Sequence, residues 1–251
     1  MTEKSHIGKC RLCNESKPLC NSHIVPEFCY TQAYDGKHRT LDMNLNGKAG
    51  PPFRPIQKGH REHLLCRTCE GIISQYEHRF REFWFGPNGL PARLDFRGPV
   101  VVLSGADYAS FKLFHLSVLW RAGVSALCRK VSLGRYEGSL REMILSGSPG
   151  EPTRFPICGQ ILLDDNGAVV YGVVTSPSRY RSPPSYAYST IYAGCEWHVV
   201  VTDHPTNEQE ILSGAISPQG EVVLACTHWL RTGSINAIAD GFRRRKQACS
   251  R

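Results

Sequence analysis

The sequence of 251 residues has no apolar run near the roughly 20 residues that a membrane-spanning helix needs. Its first residues, Met1 to His6, are polar and lack the apolar core of a signal peptide. We therefore expect a globular, cytoplasmic protein with no membrane partner. The Walker loop, the Rossmann glycine pattern and the Gly-x-Ser-x-Gly elbow are also missing, so these patterns give no support to a nucleotide-binding protein or a serine hydrolase.

The chain contains eleven cysteines, an odd number that argues against a full set of disulfides. Four of them form two short pairs, Cys10-x2-Cys13 and Cys66-x2-Cys69, with 52 residues between the pairs. Two such pairs can supply four thiolates to one tetrahedral ion, so the spacing predicts a structural Zn²⁺ site. Cys20 and Cys29 remain alternative ligands for this ion.

The formal net charge of +8 favours an anionic partner such as nucleic acid. Five of the positive charges lie in the basic tail formed by residues 243–251. The tail is equally consistent with an arm that contacts DNA and with a solubilising end of the chain.

The two cysteine pairs predict a zinc-binding module in residues 1–90. Hydrophobic periodicity predicts an α+β domain of unknown role in residues 95–251. The second segment reads as helical over 107–145 and mostly as strands over 155–228. The predicted helices cover 71–85, 107–127 and 136–145, and the predicted strands cover 100–103, 157–163, 168–174, 196–202 and 221–226. The fold class is therefore α+β: a four-cysteine zinc-ribbon module, a helical middle and a C-terminal antiparallel sheet.

A histidine motif, Ser22-His23-Ile24-Val25-Pro26, lies between the two cysteine pairs. An exposed histidine with an ordinary pKa near 6.5 suits a general base that activates water. The same residue also fits a purely structural role, in which the imidazole hydrogen-bonds within the module.

The order of these motifs resembles the HNH (ββα-metal) endonucleases. The order is a CxxC pair, a His-Ile-x-Pro strand and then Leu65-Cys66-Arg67-Thr68-Cys69 opening a helix. The resemblance covers about residues 7–85, and it is closest to the zinc-stapled kind that phage endonuclease VII represents. It implies a ββα-metal-like fold for this module and cleavage of nucleic acid, mainly DNA, with a catalytic Mg²⁺ or another divalent ion held against the phosphate.

Position by position, the resemblance assigns the general base to His23 and the metal ligand at the helix start to Glu70. The acidic residue that the family places before the histidine is Ser22 here, and Glu70 stands where the family has Asn or His. Glu77 is a possible second metal ligand, although its spacing from Arg81 also fits a surface ion pair.

Two functions follow from these observations. The first is a metal-dependent endonuclease, which the resemblance associates with defence against phage or mobile elements. The second is a noncatalytic zinc-ribbon protein that binds nucleic acid or a protein partner. Residues 95–251 would recognise a substrate, a partner or a signal.

Overall fold

The computed structural model describes residues 6–43, 53–94, 100–128, 130–182, 185–202, 209–233 and 235–236. Its helices and strands follow the chain in an α+β order. They are β1 (His6–Lys9), β2 (Ser16–His23), a 3₁₀ helix (Glu27–Ala33), β3 (Thr40–Met43), β4 (Phe53–Ile56), β5 (Arg61–Cys66), α1 (Arg67–Trp84), β6 (Val100–Leu103), α2 (Tyr108–Val124), α3 (Tyr136–Ser146), β7 (Ile157–Leu163), β8 (Ser178–Ser182), β9 (Ser185–Tyr192), β10 (Cys195–Val201), α4 (Gln209–Ser213), β11 (Val222–His228) and a second 3₁₀ helix (Trp229–Arg231).

A three-stranded antiparallel sheet with the order β1-β2-β5 forms the first part of the fold. Strand β2 pairs with β5 from Leu19 opposite Cys66 to His23 opposite Arg61, with an irregularity between Cys20 and Asn21. Strand β5 then runs directly into α1. The first segment of the chain therefore has a strand-strand-helix unit, as the predicted ββα-metal-like module requires.

A six-stranded sheet with the order β6-β11-β7-β10-β9-β8 forms the C-terminal part. All its neighbouring pairs are antiparallel except β7 and β11, which run parallel, so the sheet is mixed. The prediction of an antiparallel sheet is therefore confirmed for most strand pairs. The parallel pair β7–β11 was not predicted.

Helix α2 lies in the centre of the molecule, and α1, α3 and β10 contact it. It is apolar around most of its circumference, as expected for a helix that is buried on all sides. Phe80 of α1 stacks on Phe114 of α2 with ring centroids 4.0 Å apart. The indole N–H of Trp84 donates to the carbonyl of Ala193 at 2.9 Å, which ties α1 to the turn between β9 and β10.

The buried residues form one cluster that runs from Cys10 in the first segment to Leu224 in the last sheet. Both predicted segments contribute to this core. The division of the chain at residues 90–95 into two domains stays a prediction.

Three local predictions need correction. Residues 168–174 do not form a strand, because Ala168 and Val169 make only isolated bridges to Arg93 and Leu163. The Pro, Ser and Arg residues of 176–185 favour a loop by composition, but Ser178–Ser182 forms β8 against β9. Helix α1 starts at Arg67 and not at 71, because Cys66 is its N-cap residue and Cys69 lies in its first turn. The basic tail lies outside the described residues.

Within the described ranges, no helix is long and apolar enough to cross a membrane. This agrees with the absence of a long apolar run in the sequence.

Helix α3 offers a matched test of the core, because Leu140 is fully buried and Leu145 is 40% exposed on the same helix. We expect Leu140→Ala to lower the free energy of unfolding by about 2–5 kcal/mol, the usual cost of truncating a buried leucine. Leu145→Ala should change it by less than about 1 kcal/mol. Urea denaturation measures both, and equal losses would contradict the packing described.

Candidate functional site

The four predicted ligand cysteines come together in space. The sulfurs of Cys10, Cys13, Cys66 and Cys69 all lie within 4.8 Å of one another, and three of the four residues are buried. Sulfurs bound at about 2.3 Å to one tetrahedral zinc are about 3.8 Å apart. The Sγ atoms of Cys13 and Cys66 lie 3.9 Å apart. The donor set and its spacing therefore fit a four-coordinate thiolate metal site.

Local backbone geometry brings the two pairs together. The first pair occupies the turn between β1 and β2, where the N–H of Asn14 donates to the carbonyl of Cys10 and Asn14 has a φ of 64°. The N–H of Arg11 donates to the carbonyl of Leu64, which joins this turn to β5. The second pair begins at the last residue of β5 and continues into the first turn of α1.

The pKa values of Cys10 and Cys69 shift in opposite directions. Burial acts to raise the pKa of Cys10, but backbone N–H groups of Cys13, Cys66 and Leu12 outweigh it and lower the pKa to about 7. Burial and the neighbouring thiols Cys66 and Cys10 raise the pKa of Cys69. Several neighbouring thiols in a buried site do not all ionise unless a cation offsets the negative charge of the thiolates. This group of thiols therefore suits a divalent metal ion. Cys20 and Cys29 are not members of the cluster.

His23 is the last residue of β2 and lies opposite Arg61 of β5, at the other end of the β2–β5 ladder from Cys66. Its side chain is 20% exposed, so the expectation of an exposed histidine was only partly right. The ring atom Nε2 accepts a hydrogen bond from Arg61 Nε at 2.9 Å. Because arginine can only donate, the neutral His23 ring carries its proton on Nδ1.

The turn before β5 fixes the other side of the His23 ring. A hydrogen bond to the Lys58 backbone contributes to the pKa of His23. Lys58 and Gly59 both have positive φ, at 62° and 66°. A Cβ on Gly59 would lie 2.6 Å from the ring of Tyr30, so only glycine allows this close approach. The N–H of Ile24 donates to the carbonyl of His60, which anchors the residue after His23 to the same turn.

Glu27 and His38 complete a polar cluster around His23 and Arg61, and we call these four residues the His23 cluster. Arg61 Nη2 lies 3.3 Å from Glu27 Oε2, and His23 Nε2 lies 3.6 Å from the same oxygen. His38 Nε2 lies 3.5 Å from Glu27 Oε1. Glu27 follows His23 by four residues and reaches it from the first 3₁₀ helix.

The surroundings of His23 shift its pKa well away from the ordinary value. Burial is the main cause that lowers the pKa, the charges of Arg61 and Arg121 act in the same direction and Glu27 opposes them, and the net pKa is about 4. The pKa therefore lies well below the ordinary value near 6.5 that suits a general base. Near neutral pH the imidazole is uncharged and holds a lone pair on Nε2, but it is a weaker base than an ordinary histidine.

Arg121 of α2 connects the His23 segment to the centre of the molecule. It is 1% exposed, and its Nη1 donates to the carbonyl of His23 at 2.9 Å. The same nitrogen lies 2.8 Å from Glu77 Oε1. Glu77 is thus paired with a buried arginine of α2, and the predicted surface pair with Arg81 was wrong. Burial raises the pKa of Glu77, and Arg121 opposes the rise.

Glu70 lies on the first turn of α1, directly after Cys69, as the sequence requires. Its Oε1 is buried and makes no hydrogen bond within the described part of the chain. Burial, followed by the charge of Glu70, raises the pKa of the Cys20 thiol, which places Glu70 on the β2 side of α1. Ser22, in the position that the family gives to an acidic residue, is 1% exposed and donates to the carbonyl of Cys20.

These residues do not fit a second, catalytic metal ion. Among the described residues, the four cysteines are the only group of three or more His, Cys, Asp or Glu side chains whose ligand atoms lie together. His23 and Glu70 do not belong to such a group, and Glu77 Oε1 already faces Arg121. One free carboxylate oxygen is too little for Mg²⁺, which prefers several oxygen ligands.

Sequence reasoning missed Glu27, His38, Arg61 and Arg121 as neighbours of His23. The separation of only four residues between His23 and Glu27 was a usable signal, because residues so close in the chain are readily brought together by a bend. Arg61 and Arg121 lie 38 and 98 residues from His23 in the chain, and no local pattern links them to it.

No family model matches this chain, and no curated protein or solved structure matches it. The HNH resemblance therefore rests on the residues of the motifs and stays an expectation.

Metal content tests the cysteine cluster directly. We expect about one tightly bound metal ion per chain, loss of most of it in Cys69→Ser, and full retention in Cys20→Ser. Cys20 is the matched control because it lies on β2 of the same sheet but outside the cluster. Elemental analysis after dialysis measures all three proteins. Equal metal content in the two variants would contradict the assignment.

Glu77→Gln tests the pairing with Arg121. Since the substitution leaves a buried arginine without its countercharge, we expect a loss of about 3 kcal/mol in the free energy of unfolding. Glu82→Gln is the control on the same helix, because Glu82 pairs with His78 while 55% exposed, and it should cost less than about 1 kcal/mol. Chemical denaturation of both variants measures the difference.

Proposed function

We propose that the chain is a zinc-stapled nuclease of the HNH type, in which His23 activates water to cleave a phosphodiester bond in nucleic acid, most readily DNA. The four-cysteine cluster holds the zinc and has a structural role. Residues 95–251 carry substrate or partner recognition, in a setting such as defence against phage or mobile elements.

The identity of the metal is supported by the donor set. Four cysteine sulfurs in a closed, mostly buried group are the typical ligands of structural Zn²⁺, and they leave no coordination position for water. Zinc therefore fixes the positions of β2, β5 and α1 and takes no part in the chemistry.

The observation that carries the nuclease proposal is the placement of His23. It is the last residue of β2 in a strand-strand-helix unit that the cysteine cluster closes, and part of its side chain reaches solvent. Its neutral ring is oriented on one side by the Lys58 backbone and on the other by Arg61. An oriented imidazole beside a guanidinium is a suitable pair for a water nucleophile and an anionic phosphate.

A specific observation favours a second function, that of a noncatalytic zinc-ribbon protein that binds nucleic acid or a protein. The lone pair of His23 Nε2, which a general base needs, is engaged by Arg61 in this structure. In this alternative the His23 cluster only stabilises the link between β2, β5 and the first 3₁₀ helix.

Cleavage of plasmid DNA by the purified protein separates the two functions. We expect nicking by the wild type, measured both with added Mg²⁺ and with a chelator, and a loss of about 10²-fold or more in His23→Ala. Because the pKa of His23 in the free protein is about 4, kcat/KM should stay nearly constant from pH 7 to pH 5. A base with the ordinary pKa would lose activity through pH 6.5.

His63→Ala is the matched control, since His63 is an exposed histidine on β5 that stacks on His6. It should cut like the wild type. If the wild type binds DNA in a gel-shift assay but cuts it under neither condition, the noncatalytic function replaces the nuclease.

A further inference from the structure

We infer that the guanidinium of Arg61 takes the place of the catalytic divalent metal ion, binding the scissile phosphate beside His23. This inference rests on the proposed nuclease function and specifies how its site works. The ligand class is a phosphodiester, and the reaction needs no second metal.

The geometry of the His23–Arg61 pair is the first support. The two residues are directly opposite each other in the β2–β5 register, so the backbone of the sheet holds them together. Arg61 is 26% exposed and His23 is 20% exposed, so both reach the same surface. The Nε atom of Arg61 and the Nε2 atom of His23 are 2.9 Å apart, close enough for one bound phosphate and its attacking water to contact both.

The distribution of charge is the second support. The position before His23, where a metal ligand would carry a negative charge, holds the buried and uncharged Ser22. Glu27 is the carboxylate that faces Arg61, at 3.3 Å, and it is 38% exposed. It can turn to solvent when a phosphate takes its place, because an exposed ion pair of this kind is weak.

Arginine is also chemically suited to this role. Its planar guanidinium donates two parallel hydrogen bonds to a phosphate and keeps its charge at all working pH values. When phosphate oxygens accept the Arg61 N–H groups, Nε no longer donates to His23. Substrate binding thereby frees the Nε2 lone pair, which the unbound site keeps covered.

The hydrolytic step is then balanced without a further reactant. The oxygen of water forms a bond to phosphorus, while the bond from phosphorus to the leaving sugar oxygen breaks. One proton of the water moves to His23 Nε2, and the imidazolium returns it to the leaving oxygen. Arg61 stabilises the charge that develops on the non-bridging oxygens. The products are a phosphomonoester and a free hydroxyl group.

The first experiment measures plasmid cleavage by the intact protein in a chelator, with elemental analysis to verify that the cysteine-bound metal is retained. We expect cleavage to continue at a rate within about threefold of that in Mg²⁺. Arg61→Gln should lose about 10²-fold or more, and Arg61→Lys should recover part of the rate. Glu70→Gln and the surface control Arg79→Gln should cut like the wild type.

The outcomes separate this inference from the function on which it rests. Cleavage that requires added Mg²⁺ and disappears in Glu70→Gln overturns the role of Arg61 and leaves the nuclease intact. An absence of cleavage in every condition overturns both. Loss in Arg61→Gln together with full activity of the wild type in the chelator supports the inference.

A second measurement does not depend on activity. The titration of His23 by NMR in the wild type should move upward from about 4 when inorganic phosphate is added, because the bound anion offsets the Arg61 charge. In Arg61→Gln the midpoint should be raised already and should not respond to phosphate. A wild-type midpoint that does not change when phosphate is added would contradict phosphate binding at Arg61. If Arg61 had only a structural role, phosphate would not shift the midpoint.

Discussion

The fold of the first segment depends on the metal site that four cysteine sulfurs form together. The cluster joins the turn after β1 to the junction of β5 and α1, across 52 residues of intervening chain. Buried thiols so close together resist joint ionisation, so the attraction of a divalent cation is what makes the group favourable. Strand β5, which ends at the cluster residue Cys66, pairs with β2 in a register that places His23 opposite Arg61.

A second constraint links this segment to the rest of the molecule. Arg121 is a fully buried cation on α2, and burying a charge is costly unless it is paired and hydrogen-bonded. Glu77 supplies the countercharge and the carbonyl of His23 supplies an acceptor. The position of the candidate base is therefore set from two directions, by the sheet at its side chain and by α2 at its backbone.

Local features of the sequence predicted much of this fold, because periodicity and spacing are local. The helix predicted at 136–145 is α3 at Tyr136–Ser146, and the strand predicted at 157–163 is β7 within the same bounds. The four cysteines were identifiable because each pair of ligands is separated by two residues, and this short spacing is visible in the sequence. Strand β8 was missed, because a segment rich in Pro, Ser and Arg has no clear alternation and pairs only through its neighbour β9.

The surroundings of His23 were beyond sequence reasoning for a different reason. The spacing of Glu77 and Arg81 suggested a surface pair, yet Glu77 faces a buried arginine 44 positions away, because α1 packs against α2. The pKa of His23 likewise depends on burial and on two arginines from distant elements. Such long-range contacts follow from packing and leave no periodic signal in the chain.

The most direct test of the account is the coordination of the bound metal, since every later step depends on closure by four cysteines. X-ray absorption at the metal edge of the purified protein should show zinc with four sulfur neighbours at about 2.3 Å. A mixed shell of sulfur with nitrogen or oxygen, or a protein that folds without bound metal, would contradict the account.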